Sequence, residues 1–175
     1  MRLTAAGQTK TQGFSIVRNP KIVATDADLM EEFRLASQIN KKVSEANGAV
    51  VRIRDMKDQI GDRTGKANDT RIKSAGDALT VKLTDVEGEI YQYQNRSGQD
   101  PLNFPIRLNN KLAALQGLVE FGDNKPTDQS YVVFKELAAQ LDRAFRKLEG
   151  IEKDDLATFN QQIAKKKLAP VVPPK

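Results

Sequence analysis

The sequence contains no cysteine and no histidine. The first absence excludes thiolate nucleophiles, disulfides, iron–sulfur clusters and Cys/His zinc sites. The second removes imidazole as a base or proton shuttle, and with it any Ser-His-Asp triad. Tryptophan is absent and aromatics make up 6% of the chain. A core must therefore come from Leu, Ile, Val and Ala, which suits packed helices better than a β-sandwich. No apolar run approaches the roughly 20 residues of a membrane span. The segment Met1–Gly7 lacks the apolar centre of a signal peptide. Charge of one sign is missing as well: 28 Lys and Arg stand against 23 Asp and Glu, a net +5. Nucleic-acid binders concentrate their basic residues. Here the one dense run is Lys165–Lys167, which reads as a solvated, cation-rich helix C-terminus. No nucleic-acid partner is expected.

What remains is carboxylate, Lys, Tyr or oxygen-ligand metal chemistry, and no motif organises it. Gly61-Asp-Arg-Thr-Gly65-Lys66 is one residue short of a phosphate-binding loop, and Ala67 replaces the magnesium-binding hydroxyl. A helix–helix turn explains it. Asp26, Asp28, Glu31 and Glu32 cluster acids at a helix start without the spacing of a calcium loop. Complementing the helix dipole accounts for them, and Lys153-Asp154-Asp155 has the same reading. No pair of acids stands out as the two carboxylates of a glycosidase. Tyr91, Tyr93 and Arg96 would suit a stacking platform or plain helix-end packing. Asn95-Arg96-Ser97 matches a glycosylation acceptor, relevant only to a eukaryotic secretory protein. The chain is accordingly expected to be no enzyme, with no catalytic residue, metal ligand or cofactor.

Periodicity supplies the fold. After Thr25-Asp26-Ala27-Asp28, an N-cap with first-turn acids, apolar residues recur at Leu29, Phe33, Ala36, Ile39, Val43, Ala46, Val50, Ile53, Met56 and Ile60. The steps are threes and fours, a helical seam, which Gly61 and Gly65 are expected to stop. Gly48 inside it suggests a close helix contact. Residues 61–68 read as a polar loop. A second helix spans about Asp69–Gln94 on Ile72, Ala75, Leu79, Leu83, Val86, Ile90 and Tyr93. A third starts at Pro105, a residue suited to the first helical position, and carries Ile106, Leu108, Leu112, Leu115 and Val119. A fourth is capped by Thr127 and carries Tyr131, Phe134, Leu137, Leu141, Phe145 and Leu148, with Gly150 as a possible break. Ile151, Leu156, Phe159 and Ile163 continue the series, and Ala169–Lys175 reads as an extended, frayed tail. Short loops make neighbours antiparallel. The fold expected is mainly α: an antiparallel up-and-down bundle of about four helices behind an N-terminal β-hairpin remnant. Residues 1–22 form the hairpin, 23–168 the bundle and 169–175 the Pro-rich tail.

Within 1–22, Arg2–Thr4 and Gln8–Val17 are strand-like around Ala6-Gly7. A lone hairpin is marginal in water, so these residues are expected to finish a sheet domain outside this sequence. The punctuated segment after the second helix supplies the candidate site. Arg96, Ser97, Asp100, Asn103, Asn109 and Asn110 offer groups for a sharp chain reversal. Pro101 and Pro105 stiffen it, and Phe104 is expected to plug the bundle end. The alternative role for this loop is docking on another domain or partner.

Tyr91-Gln-Tyr-Gln-Asn-Arg-Ser-Gly-Gln-Asp-Pro-Leu-Asn-Phe-Pro-Ile-Arg-Leu-Asn-Asn-Lys-Leu-Ala-Ala-Leu115 and Asp123-Asn-Lys-Pro-Thr-Asp-Gln-Ser-Tyr-Val-Val-Phe134 resemble the C-terminal helical region of bacterial sortilin-like β-propeller proteins, the BNR or Asp-box repeat, glycosyl-hydrolase-like group. Thr11-Gln-Gly-Phe-Ser-Ile-Val-Arg-Asn-Pro-Lys-Ile22 resembles the strand that closes their preceding β-sandwich. The likeness covers nearly the whole chain and is strongest over 95–131. It implies a periplasmic or extracellular accessory domain. Its partners would be the missing propeller and sandwich domains or another protein, and any catalytic surface would lie on the propeller. The hydrolase label is a fold-level analogy. A stand-alone helical adaptor or homo-oligomer is the alternative.

Overall fold

The structure is a computed structural model; it describes residues 1–174, and at Pro101 the backbone alone. Strands β1 (Arg2–Ala5) and β2 (Gln8–Thr11) precede helices α1 (Asp26–Ala67), α2 (Thr70–Ile90), α3 (Leu108–Val119), α4 (Asp128–Gly150) and α5 (Ala157–Ala164). The chain is a mainly helical bundle with a small antiparallel hairpin at its N-terminus, as the periodicity predicts.

Helix α1 starts on a full capping box. Thr25 Oγ1 accepts the Asp28 N–H and the Asp28 carboxylate accepts the Thr25 N–H, so two otherwise unpaired donors are satisfied reciprocally. The helix buries Leu35, Ile39, Ala46, Val50, Ile53, Met56 and Ile60. Contrary to expectation, it does not stop at Gly61 or Gly65. A methyl group at either would meet nothing, so both face solvent and cost only propensity, about 1 kcal/mol each. The (i, i+4) pair Asp62–Lys66 supports this stretch. The true stop is Asn68, in the left-handed conformation at φ 45°. Asp69 then caps α2, accepting from Arg71 N and Ile72 N. With 42 residues, α1 is about 63 Å long.

This length makes α1 the spine. Glu87 of α2 pairs with Arg54 and Lys57, whereas Asn109 of α3 meets Asn47. Glu32, near the start of α1, lies beside Asn124, just past α3. Helices α2 and α3 thus run in the same direction, one after the other, both antiparallel to α1. The third rod returns parallel to α1. Its ladder of ion pairs is Glu31–Lys125, Lys42–Asp142, Arg52–Glu152 and Asp69–Lys166. In section the bundle has three rods, the middle one broken by the segment 91–107.

Gly150 does not break the last rod: its φ of −61° is helical. Residues Ile151–Leu156 form a π-helical turn that joins α4 to α5. The step of five from Ile151 to Leu156 is the sequence signal for that turn, since a wider turn keeps both residues on the inner face. Leu148, Leu156, Phe159 and Ile163 are all buried.

Gly76, not Gly48, marks the close helix contact. A Cβ on Gly76 would collide with the Thr64 methyl and crowd Ile60, whereas one on Gly48 meets nothing. Phe33, Ile106 and Tyr131, expected in the core, are exposed. Phe33 sits two residues before the buried Leu35, about 200° round the helix. Helix α3 begins at Leu108 on an uncapped Arg107, which leaves Ile106 outside it, and Pro105 is not at the first helical position. At the start of α4 the buried residue is Ser130.

Candidate functional site

The predicted loop folds as a polar knot. Asp100 organises it. Its carboxylate accepts the backbone N–H groups of Arg96 and Ser97 and the Ser97 hydroxyl. These bonds hold the Asp100 pKa below its ordinary value, the Arg96 N–H contributing most. The Asp100 carbonyl accepts from Asn103 N and Phe104 N, closing the 3-10 turn Asp100–Leu102 that contains Pro101. Asn103 and Pro105 are exposed, as is Asn110, whose N–H bonds to Asn109 Oδ1. Asn109 is buried and its amide reaches Asn47 on α1. Ser97, Asp100 and Asn109 thus each bond to groups of the loop or of α1. Phe104 is not a plug: it is half-buried and lies outside the core cluster.

Sequence reasoning missed the residues that hold this segment in place. Gln92 is buried; its amide donates to the Pro105 carbonyl at 3.0 Å and accepts from Gln94 N. It ties the two ends of the loop. Glu87, 2% exposed, accepts from Arg54 Nε at 2.7 Å and Lys57 Nζ at 2.6 Å. The Arg54 guanidinium also lies 5.0 Å from the Tyr91 ring centre, a cation–π distance. Tyr91 thus packs at the helix end, while Tyr93 is exposed. One signal for Glu87 was present: it falls next to Val86 and three before Ile90, on the apolar stripe.

Pro105 also borders a hollow of about 360 Å³ that Arg107, Lys111, Arg143 and Lys147 line with one acid, Glu89. Lys147 is paired with Glu89 at 2.6 Å.

The N-terminal segment carries several exposed apolar side chains. Ala6 and Gly7 both have positive φ, the two-residue turn that matches strand twist. The register pairs Arg2 with Thr11 and Thr4 with Thr9. The hairpin ends at Thr11, so Phe14–Val17 are not in a strand as expected. Every residue from 1 to 21 is exposed, including Leu3, Phe14, Ile16 and Val17. Arg18 fastens the segment to the bundle by donating to Ala24 O and Asp26.

A third feature lies between the outer rods. The C-terminal tail is docked rather than frayed. It reverses at Lys167, whose φ is +59°, and runs back along a groove between α1 and α5. Val171 is 2% exposed and belongs to the core cluster. Asn160 accepts from Val171 N at 2.8 Å and donates to Val171 O at 2.9 Å. Gln59 does the same for Val172, at 2.9 and 2.8 Å. Arg63 Nε donates to Ala169 O at 2.9 Å. Past Pro174 the groove opens to about 560 Å³ over Gly48, Ala49, Phe145 and Leu148, with Arg52 and Glu152 at its wall. The Arg52–Glu152 pair leaves Arg52 Nε and Glu152 Oε1 buried without partners.

Among the described residues no helix is long and apolar enough to cross a membrane, and no group of three or more acids is placed to hold a metal ion. Neither a protein-family model nor a curated protein nor a solved structure matches the chain.

Proposed function

We propose that the chain is a non-catalytic helical accessory domain that docks through its N-terminal hairpin onto a neighbouring β-sheet domain of a larger, exported sortilin-like β-propeller protein. The observation that carries this reading is the hairpin itself. It buries none of its residues on the bundle, although Leu3, Phe14, Ile16 and Val17 lie more than half exposed along it and its linker. A two-stranded ribbon with bare edges is a template for strand addition. The bundle supplies a stiff support, since α1 continues from the Arg18–Asp26 anchor past its ion pairs to the third rod at Glu31, Lys42 and Arg52. The sequence resemblance to the helical region of such proteins points the same way. It also suggests a periplasmic or extracellular setting and puts any hydrolase chemistry on other domains.

Recovering the coding sequence around this chain tests the proposal. A continuous frame encoding an Asp-box propeller and a sandwich supports it. A stop codon and ribosome-binding site just before Met1 would contradict it. A second reading, a homo-oligomer, is favoured by Met30, Phe33, Leu118 and Phe121, which are exposed at the same end of the bundle. Sedimentation of the chain separates the two, because only the oligomer gives a stable dimer.

A further inference from the structure

We infer that the groove between α1 and α5 is a peptide-recognition site, and that the tail Ala169–Pro174 is an exchangeable occupant standing in for an extended, proline-flanked apolar peptide of a partner. Val171 and Val172 are consecutive, and each has both backbone groups satisfied by one side-chain amide, Asn160 for the first and Gln59 for the second. A side-chain amide carries one acceptor and two donors, so it can mimic the neighbouring strand that an extended peptide would otherwise need. The two amides come from opposite walls, α5 and α1. They read the backbone, not the side chains, and so require two adjacent residues with free N–H groups.

Side-chain selection is separate. Val171 fills a pocket in the core, whereas Val172 is more than half exposed. One buried anchor followed by an outward residue is the alternation of an extended chain. Pro170 and Pro173 flank the pair, and proline keeps a peptide extended before it binds, which lowers the ordering cost. Helical side chains aimed at a backbone, a single apolar anchor and a pre-extended ligand together describe a peptide site. The groove also continues past Pro174 along Ala49, Phe145 and Leu148, giving a longer ligand further apolar contact. The tail buries one side chain, Val171, and turns on Lys167 in the left-handed conformation, so its release need not unfold the bundle. This inference does not depend on the hairpin or on the parent protein.

The test uses the full chain carrying Val171→Asp, which expels the tail by placing a carboxylate in the apolar pocket. The probe is a fluorescein-labelled peptide of residues Leu168–Lys175, read by anisotropy. The Val171→Asp chain should bind it at least about tenfold more tightly than the wild type, whose own tail competes at an effective concentration near millimolar. Adding Gln59→Ala and Asn160→Ala should reduce that binding by at least about tenfold, as should N-methylation of both valines in the probe, since each removes paired backbone bonds. A folded Val171→Asp chain that ignores the probe overturns the inference. Wild-type chain that sediments as a tail-exchanged dimer overturns it too, because the occupant is then a second copy. If Val171→Asp does not fold, hydrogen exchange on the wild type decides. The Val171 and Val172 amides should exchange at least about a hundredfold faster than that of Leu141; equal protection would make the tail a permanent part of the core.

Discussion

A pair of glycine replacements tests the packing most sharply, because the two sites differ in one respect only. Gly48 and Gly76 both lie inside helices, and replacing either by alanine gains about 1 kcal/mol of helix propensity. At Gly48 the added methyl meets nothing, so Gly48→Ala should be stabilising by close to that amount. At Gly76 the methyl collides with the Thr64 methyl and comes within 3.1 Å of Ile60 Cγ2. Thr64 cannot simply rotate away, because its hydroxyl donates to the Gly61 carbonyl at 2.9 Å. Ile60 is 1% exposed and packed on all sides. Overpacking of this kind costs about 1–3 kcal/mol. Gly76→Ala should therefore lie about 1–3 kcal/mol below Gly48→Ala, a separation of about 2–12 °C in Tm for a chain of this size. Urea and thermal unfolding followed by helical circular dichroism measure it. Equal stabilities, or a more stable Gly76→Ala, would refute the close approach of α1 and α2 at this point.

Three further outcomes follow from the same contacts. Glu87→Ala should cost about 2–3 kcal/mol by urea titration, because Arg54 and Lys57 lose their shared buried acceptor. Asp69→Ala should cost about 1 kcal/mol in the same assay, removing the α2 cap. Glu32 gives the pH dependence. Burial raises its pKa above 4.5, the Asn124 N–H partly opposes this, and Asp123 and Glu120 add to it. A raised native pKa means that the folded chain holds the proton more tightly. Stability should fall as pH rises from about 4.5 through the native value, and Glu32→Gln should stabilise near neutral pH and lose that advantage below about pH 4.5.

The stripes at threes and fours make the helices legible, since burial on one face imposes the helical period. Stops are harder to see. Gly61 and Gly65 look like terminators, yet they fall on the solvent face of a helix stabilised by its neighbours, and the left-handed Asn68 ends it. The split middle rod is invisible to periodicity, which fixes the length of α2 and α3 but not that both lean on a single spine. The capping roles of Ser97 and Asp100 could be read locally, because short polar side chains bond to backbone nearby in sequence. Gln92, Glu87, Asn160 and Gln59 could not, because their partners lie 11 to 113 residues away. The tail looked frayed from composition alone. What pins it is a pair of amides on distant helices, and no local pattern announces them.

The claim on which the functional account rests is that the hairpin belongs to a partner surface and not to this bundle. Residue-resolved hydrogen exchange on the chain by itself examines that directly. The account predicts exchange of the β1 and β2 amides within about tenfold of unstructured peptide, while Leu35–Ile60 of α1 stay protected to the level of global unfolding. A hairpin protected as strongly as α1 would mean that it is held by the bundle, and would contradict the proposed docking role.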